Sequence, residues 1–173
     1  MKGSIFVGTS LDGFIARANG ALDFLHAEGA EPYGFDEFLA SVDALVMGRK
    51  TYETALAFGS WFYGSKPVFV LSSKELAKVP KGAVVERMSG TPADIVSTLS
   101  TRGIEHIYVD GGNTIQQFLR DGFIERLIIS RVPVLIGSGI PLFGPLQNDL
   151  ALKHVATRQY ASGLVQSEYV IAD

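Results

Sequence analysis

The sequence predicts an α/β domain, and three observations carry that prediction. Two apolar runs of strand character, Asp43 to Met47 and Ile104 to Val109, each lead through glycine into residues of helix character. Strand and helix signals alternate along most of the chain, as in βαβ units. Lys153 to Tyr160 and Leu164 to Ala172 alternate in character on either side of Ser162-Gly163, which predicts a terminal antiparallel hairpin.

Composition bounds the function. A single domain, 1–173, is expected from the length, which suffices to bury a core without staples. Apolar residues make up 47% and charged residues 19%, the balance of a globular protein with much buried surface. Lys and Arg number 15 against 18 Asp and Glu, and the net charge of −3 argues against general nucleic-acid binding. The absence of cysteine excludes disulfides, thiolate metal sites and a cysteine nucleophile. His26, His106 and His154 lack ligand spacing, so no metal site is expected. There is no signal-peptide core and no apolar run near the roughly 18 residues of a membrane span, so a soluble cytoplasmic protein is expected.

Ser4 to Thr9 reads as the first central strand, followed by Ser10-Leu11-Asp12-Gly13-Phe14-Ile15-Ala16 and the turn signal Asn19-Gly20. Asp12-Gly13 suits a simple turn, yet a loop leaving a central strand is also where α/β proteins contact ligands. Leu22 to Tyr33 is poorly patterned and broken by Gly29 and Pro32. Phe35, Phe38 and Leu39 then have helix spacing and carry Asp36 and Glu37, carboxylates that suit a solvated face as well as proton chemistry. The strand Asp43 to Met47 enters Gly48-Arg49-Lys50-Thr51-Tyr52-Glu53, with helix-compatible residues to Ala57. Cations in a first helical turn oppose the helix dipole, whereas an anion there gains up to about 1 kcal/mol. Arg49 adds bidentate capacity. That local conflict points to a phosphate site.

Gly59 to Lys66 imitates a P-loop, but its Lys and Ser stand in the wrong order and Pro67 follows instead of a helix. Trp61, Phe62 and Tyr63 read as packing or as one wall of a pocket. The strand Pro67 to Leu71 ends in Ser72-Ser73-Lys74, which suits a further phosphate, a helical turn at Glu75 to Ala77 capped by Ser73, or both. Pro80-Lys81-Gly82 turns the chain into a short strand, Ala83 to Glu86. Thr91 and Pro92 open a helix as cap and first residue, and Gly103 closes it after Arg102.

At Asp110-Gly111-Gly112-Asn113-Thr114 the strand–glycine–helix pattern recurs, with Ile115, Phe118 and Leu119 on one helix face. Two missing β-carbons let a ligand's phosphates approach the N–H groups of the helix start, and they equally suit a tight turn. Arg126 to Val134 is an apolar strand. Gly137-x-Gly139 lacks the third small residue and the following helix of a dinucleotide fingerprint, so Leu135 to Pro145 reads as an ordered loop. No Gly-x-Ser-x-Gly nucleophile motif occurs.

Five blocks occur in order over nearly the whole chain: Leu-Asp-Gly-x-Ile-Ala, Asp-Ala-Leu-Val-Met-Gly-Arg-Lys-Thr-Tyr-Glu, Val-Leu-Ser-Ser, Val-Asp-Gly-Gly-Asn-Thr and Pro-Val-Leu-Ile-Gly-Ser-Gly-Ile-Pro-Leu-Phe. In these the chain resembles the dihydrofolate reductase-like superfamily. Its nearest likeness there is the reductase (C-terminal) domain of the bacterial bifunctional riboflavin-biosynthesis deaminase-reductase. The resemblance implies a three-layer α/β/α fold with a mixed, mostly parallel sheet and a C-terminal antiparallel hairpin. It implies NADPH as hydride donor and a small heterocyclic substrate, either 5-amino-6-(5-phosphoribosylamino)uracil-like or pterin/dihydrofolate-like.

By the same resemblance, Gly48, Arg49, Lys50 and Thr51 fall where the cofactor phosphates are held. Leu71, Ser72 and Ser73 fall beside the adenosine end, with Arg49 and Ser73 selecting the 2′-phosphate. Gly111, Gly112, Asn113 and Thr114 match the second pyrophosphate contact, and Thr9, Leu11, Asp12 and Gly13 match the loop near nicotinamide and substrate. Asp12, Asp36 and Asp110 are the candidates for orienting or relaying the proton the substrate gains. Asp36 and Glu37 lie near the region of the pterin-binding carboxylate but closer to Gly48 than expected. Asp110 stands where the riboflavin-pathway reductases usually carry Glu. The deaminase domain commonly fused to them is absent from this sequence. The alternative function is a nucleotide-binding module that has lost turnover. A purely structural protein leaves the two glycine sites unexplained. The hairpin and Leu127 to Val134 invite pairing across a two-fold axis, as in the resembling reductases, and monomer or homodimer is left open.

Overall fold

The computed structural model describes residues 1–25 and 33–172, so His26, Gly29 and Pro32 lie outside the described residues. The chain runs β1 (Lys2–Ser10), β2 (Phe14–Ala16), a 3-10 turn (Asp23–Leu25), α1 (Phe35–Ala40), β3 (Ala44–Gly48), α2 (Arg49–Ala57), β4 (Val68–Leu71) and β5 (Val85–Met88). It continues with α3 (Pro92–Thr101), β6 (His106–Asp110), α4 (Gly112–Arg120), β7 (Arg126–Val132), β8 (Ile140–Pro141), β9 (Leu152–Gln159) and β10 (Val165–Ile171). An eight-stranded sheet has the order β5-β4-β3-β6-β1-β7-β10-β9. The first six strands in that order are mutually parallel, and β10 runs antiparallel to both of its neighbours, β7 and β9.

Alternation along each strand feeds two cores, one on each face. Ile5, Val46, Ile107, Val109, Leu127 and Ile129 pack with Ile95 and Leu99 of α3 and Ile115 and Phe118 of α4. Their neighbours Leu45, Met47, Tyr108 and Ile128 pack on the other face with Phe38 of α1 and Tyr52 and Ala55 of α2. This is the three-layer α/β/α arrangement. From β1 the chain winds outward to β5, returns through β6 between β3 and β1, and crosses to β7. The carboxyl ends of β3, β6 and β1 therefore lie side by side, the place where open α/β sheets bind ligands.

Local signals explain the helix boundaries. At α3 the Thr91 Oγ1 accepts from the Asp94 N–H (3.3 Å) and Asp94 Oδ2 accepts from the Thr91 N–H (2.9 Å), a reciprocal capping box with Pro92 in the first turn. The strand β7 stops at Val132, short of the expected Val134, because Pro133 has no N–H for the ladder. The strand expected at Ala83 to Glu86 begins at Val85, since Ala83 still donates to the Pro80 carbonyl in the preceding turn (3.1 Å). Glu75 to Ala77 is not helical. Ser72, not Ser73, organises that turn: its hydroxyl accepts from the Lys74 N–H (3.0 Å) and donates to the Lys74 carbonyl (2.8 Å). A turn that short lacks the length to nucleate a helix on its own.

The loop Leu135 to Pro145 is more than an ordered connection. Its β8 pairs antiparallel with β2, and the Leu142 N–H donates to the Gly13 carbonyl (3.0 Å). Gln116 of α4 donates to the Pro141 carbonyl (2.9 Å), tying both loops to the start of that helix. Strands of two and three residues are too short for periodicity to reveal. Among the described residues, no helix is long and apolar enough to cross a membrane.

Candidate functional site

The site is built on two strand-to-helix joints that pack into one another. Strands β3 and β6 are direct neighbours with Met47 opposite Asp110. A β-carbon on Gly48 would stand 3.1 Å from Thr114 Oγ1, and one on Gly111 would run into the Thr51 hydroxyl. Each glycine thus receives the threonine of the other joint. Gly111 is at φ 93° and ψ 133°, a conformation open essentially to glycine alone. Gly112 abuts Ile140 and Ile15, whose Cγ2 atoms lie 3.1 and 3.3 Å from the position of a β-carbon. The missing β-carbons expected to admit a ligand are therefore required first by protein packing. Neither helix has a side-chain cap on its first turn. Two sets of N–H groups at positive helix ends converge on one edge of the sheet, an arrangement suited to a pyrophosphate.

Beside the joints lies a cleft of about 280 Å³ on the α1/α2 face of the sheet. Phe6 and Gly8 of β1, Tyr108 and Asp110 of β6, Lys50, Thr51 and Thr54 of α2, and Phe58 just past the end of α2 line it. Ile15, Leu22, Leu25, Tyr63 and the Gly111-Gly112 pair complete its walls. Positions 50, 54 and 58 share one helix face, so the strand-end glycine that starts α2 also aims this face at the cleft.

Asp110 is the carboxyl in this cleft. Burial raises its pKa, and hydrogen bonding from the Gly111 N–H to Oδ1 (2.8 Å) and contact with Tyr108 oppose the rise without cancelling it. The Tyr108 hydroxyl donates to the Phe6 carbonyl (2.9 Å). Burial, with the nearby Asp110 charge, pushes both Tyr108 and Tyr63 well above the usual tyrosine range, so both remain neutral hydroxyls. Trp61 packs edge-on against Tyr63 with ring centroids 5.0 Å apart.

Comparison with known proteins adds a family. A model of the RibD C-terminal domain matches residues 2–166. The chain belongs to the RibD C-terminal domain family. It is 38% identical to a putative riboflavin biosynthesis protein from Shewanella sp. PV-4, with a TM-score of 0.88 and coverage of 100% of both chains. It is 32% identical to the uncharacterized protein YwjB of Bacillus subtilis (strain 168) over 178 residues, 99% of this chain and 98% of that one. A dihydrofolate reductase from Enterococcus faecalis, solved with NADP(H) and RAB-propyl, shares the fold at 13% identity, covering 99% of this chain and 97% of that one with a TM-score of 0.65.

This RibD-type domain distributes the expected site residues unevenly. Lys50, Thr51, Asp110, Gly111 and Gly112 line the cleft. Gly48 and Thr114 pack between the joints, and Asn113 is exposed on the first turn of α4. Leu71 pairs in register with Gly48, which sets Ser72 and Ser73 beside the start of α2. Arg49 is held there by Glu53 (3.5 Å). Arg87, overlooked in the sequence, joins that corner through the Ser73 carbonyl (3.4 Å) and Glu75 (3.0 Å). Thr9 is buried, and its Oγ1 has no hydrogen-bond partner among the described residues.

Leu11, Asp12 and Gly13 do not line the cleft. Asp12 clamps two loops: its carboxylate accepts from the Gly137 N–H (2.8 Å) and the Ile136 N–H (3.2 Å). Hydrogen bonding to the Ser10 side chain and then to these amides lowers its pKa, the reverse of what a proton donor needs. Asp36 is exposed on the first turn of α1, away from the cleft. Of the three carboxylates considered for proton transfer, the fold brings Asp110 alone to the cleft. Of the aromatic run expected to give packing or a pocket wall, Tyr63 lines the cleft, while Tyr108, Leu22, Leu25 and Phe58 were not distinguishable as site residues in sequence, because only packing faces them inward. Among the described residues, no cluster of His, Asp or Glu is placed to hold a metal ion.

Gly111→Ala is expected to cost ~1–3 kcal/mol from backbone strain alone, plus the crowding of Thr51. Adding Thr51→Ala recovers the crowding part and leaves the strain, as urea denaturation of both variants will measure. A second expectation concerns pH. The raised pKa of Asp110 means that folding favours its protonated form. Its contribution is complete below the unfolded value of about 3.9 and is lost as pH rises through the folded pKa. Asp110→Asn therefore raises the urea midpoint at neutral pH, and the gain shrinks as pH falls through that folded value.

Proposed function

We propose that this protein is an NADPH-dependent reductase of a small heterocyclic compound. The observation that carries the reading is the pair of uncapped helix N-termini opening onto a cleft whose acid is Asp110. Gly48, Lys50 and Thr51 on one joint, with Gly111, Gly112, Asn113 and Thr114 on the other, would hold the pyrophosphate. Arg49, Ser72 and Ser73 would meet the 2′-phosphate, with Leu71 beside the adenosine. Thr9, Leu11, Asp12 and Gly13 would shape the loop near the nicotinamide, Asp12 by fixing the backbone. Bound NADPH supplies hydride chemistry.

The chain's own contribution is to orient the ring and to manage the proton. When a ring C=N or C=O gains hydride at carbon, its heteroatom is left with an electron pair that must take a proton. Asp110, whose hold on a proton burial strengthens and which the Gly111 N–H steers, gives that proton and is recharged from solvent. The neutral hydroxyl of Tyr63 orients the ring edge. Of the two segments expected to pair across a two-fold axis, β7 is already paired on both sides by β1 and β10, which leaves the exposed outer strand β9, with Leu152 and Val155 open to solvent, to suit pairing with a second copy.

Titration with NADPH and NADH, followed through Trp61, tests the cofactor. NADPH is expected to bind much more tightly; binding of neither, confirmed by calorimetry, removes the reading. Arg49→Ala weakens NADPH far more than NADH, with little loss of stability, because the exposed pair with Glu53 is worth about 0–1 kcal/mol. Equal weakening of both cofactors removes the 2′-phosphate assignment. Asp110→Asn retains NADPH affinity and lowers turnover by ~100-fold or more. NADPH binding with no turnover on pterin, pyrimidine or quinone substrates identifies a binding module instead.

A further inference from the structure

The charge pattern of the cleft discriminates between the ring substrates that a reductase of this kind could take. Resting on the reductase reading, we infer that the site accepts a flat, uncharged ring compound and excludes one carrying a phosphate group. Away from the helix joints the walls are apolar: Phe6 on the sheet, Leu22 and Leu25 on the loop, Phe58 just past the end of α2. Gly8 lets this wall close, since a β-carbon there would stand 3.1 Å from Leu25 Cδ2.

Cations are scarce on the described walls of this cleft. Lys50 is the one Lys or Arg among the described lining residues, and it belongs to the first turn of α2, at the joint assigned to the cofactor. Arg17, which precedes the leucine wall, is held by both oxygens of Asp23 (2.6 and 2.9 Å).

The polar groups of the cleft are largely committed. The Thr54 hydroxyl donates to the Lys50 carbonyl (2.9 Å) and the Tyr108 hydroxyl to the Phe6 carbonyl (2.9 Å). The Asp110 carboxyl and the Tyr63 hydroxyl are left to meet the edge of a ring. A phosphate against leucine and phenylalanine would lose its hydration without gaining a paired cation.

The test is calorimetric titration with a ribosylaminopyrimidine and its 5′-phosphate, a pair that differs in the phosphate alone. Each is run on the protein with saturating NADPH, which fills the joints assigned to the cofactor phosphates. The unphosphorylated compound is expected to bind at least ~10-fold more tightly, a difference of about 1.4 kcal/mol. Equal or tighter binding of the phosphate overturns the inference, as does binding of neither compound. Failure of the reductase reading shows separately, as absence of NADPH binding in a titration with the cofactor alone, and takes the inference with it. Leu22→Arg, which adds a cation to the wall, is expected to shift the preference toward the phosphate by about tenfold. An unchanged preference in that variant also overturns the inference.

Discussion

Thr51 and Thr114 each fill the space that a side chain on the opposite joint would need, at Gly111 and Gly48. This mutual fit sets how closely the starts of α2 and α4 approach and where their N–H groups point. Two helix starts with side-chain caps would spend those N–H groups on their own residues. Two starts closed against each other by glycine and threonine keep them facing the edge of the sheet. The cofactor site proposed above is in this sense a by-product of how two βα units share one crevice.

The same joints determine the electrostatics of the cleft. Asp110 is the last residue of β6, on the sheet face that carries α1 and α2, two positions beyond Tyr108. A carboxyl placed there loses hydration, and its pKa rises, before any substrate arrives. The stability given up where Asp110 is ionised and the stronger hold on a proton that the proposed chemistry uses are two aspects of one placement. Asp12 shows the opposite case. Its carboxylate is satisfied by the Ser10 side chain and by backbone amides at a loop junction, so it remains ionised and acts on geometry.

That junction links the Ile15 side of the cleft to the C-terminal half of the chain. The pairing of β2 with β8, the Asp12 clamp and the bond from Gln116 to Pro141 bring residues 11–16, the start of α4 and residues 136–142 together. Ile15 and Ile140 reach the cleft wall through this assembly, and both support Gly112. A change in the loop after β7 is thereby felt at the proposed pyrophosphate contact.

Much of the architecture was legible in the sequence, because it rests on local signals. Both strand–glycine–helix joints, the capped start at Thr91-Pro92 and the terminal hairpin depend on turn chemistry and periodicity within a few residues. The ordered blocks around them carried the family resemblance. Strand limits at Val132 and Val85 and the two-residue β8 were set by neighbours distant in sequence, which no local window contains. The glycine pair was visible, but its reason was not, since Thr51 is brought to Gly111 by the pairing of β3 with β6. Likewise three aspartates were equivalent as sequence, and tertiary structure separated them. Burial raises the pKa of Asp110, Ser10 and backbone amides hold Asp12 ionised, and Asp36 faces solvent. Residue type determines what a carboxyl can do, whereas its hydration and its neighbours, fixed only when distant segments meet, determine what it does.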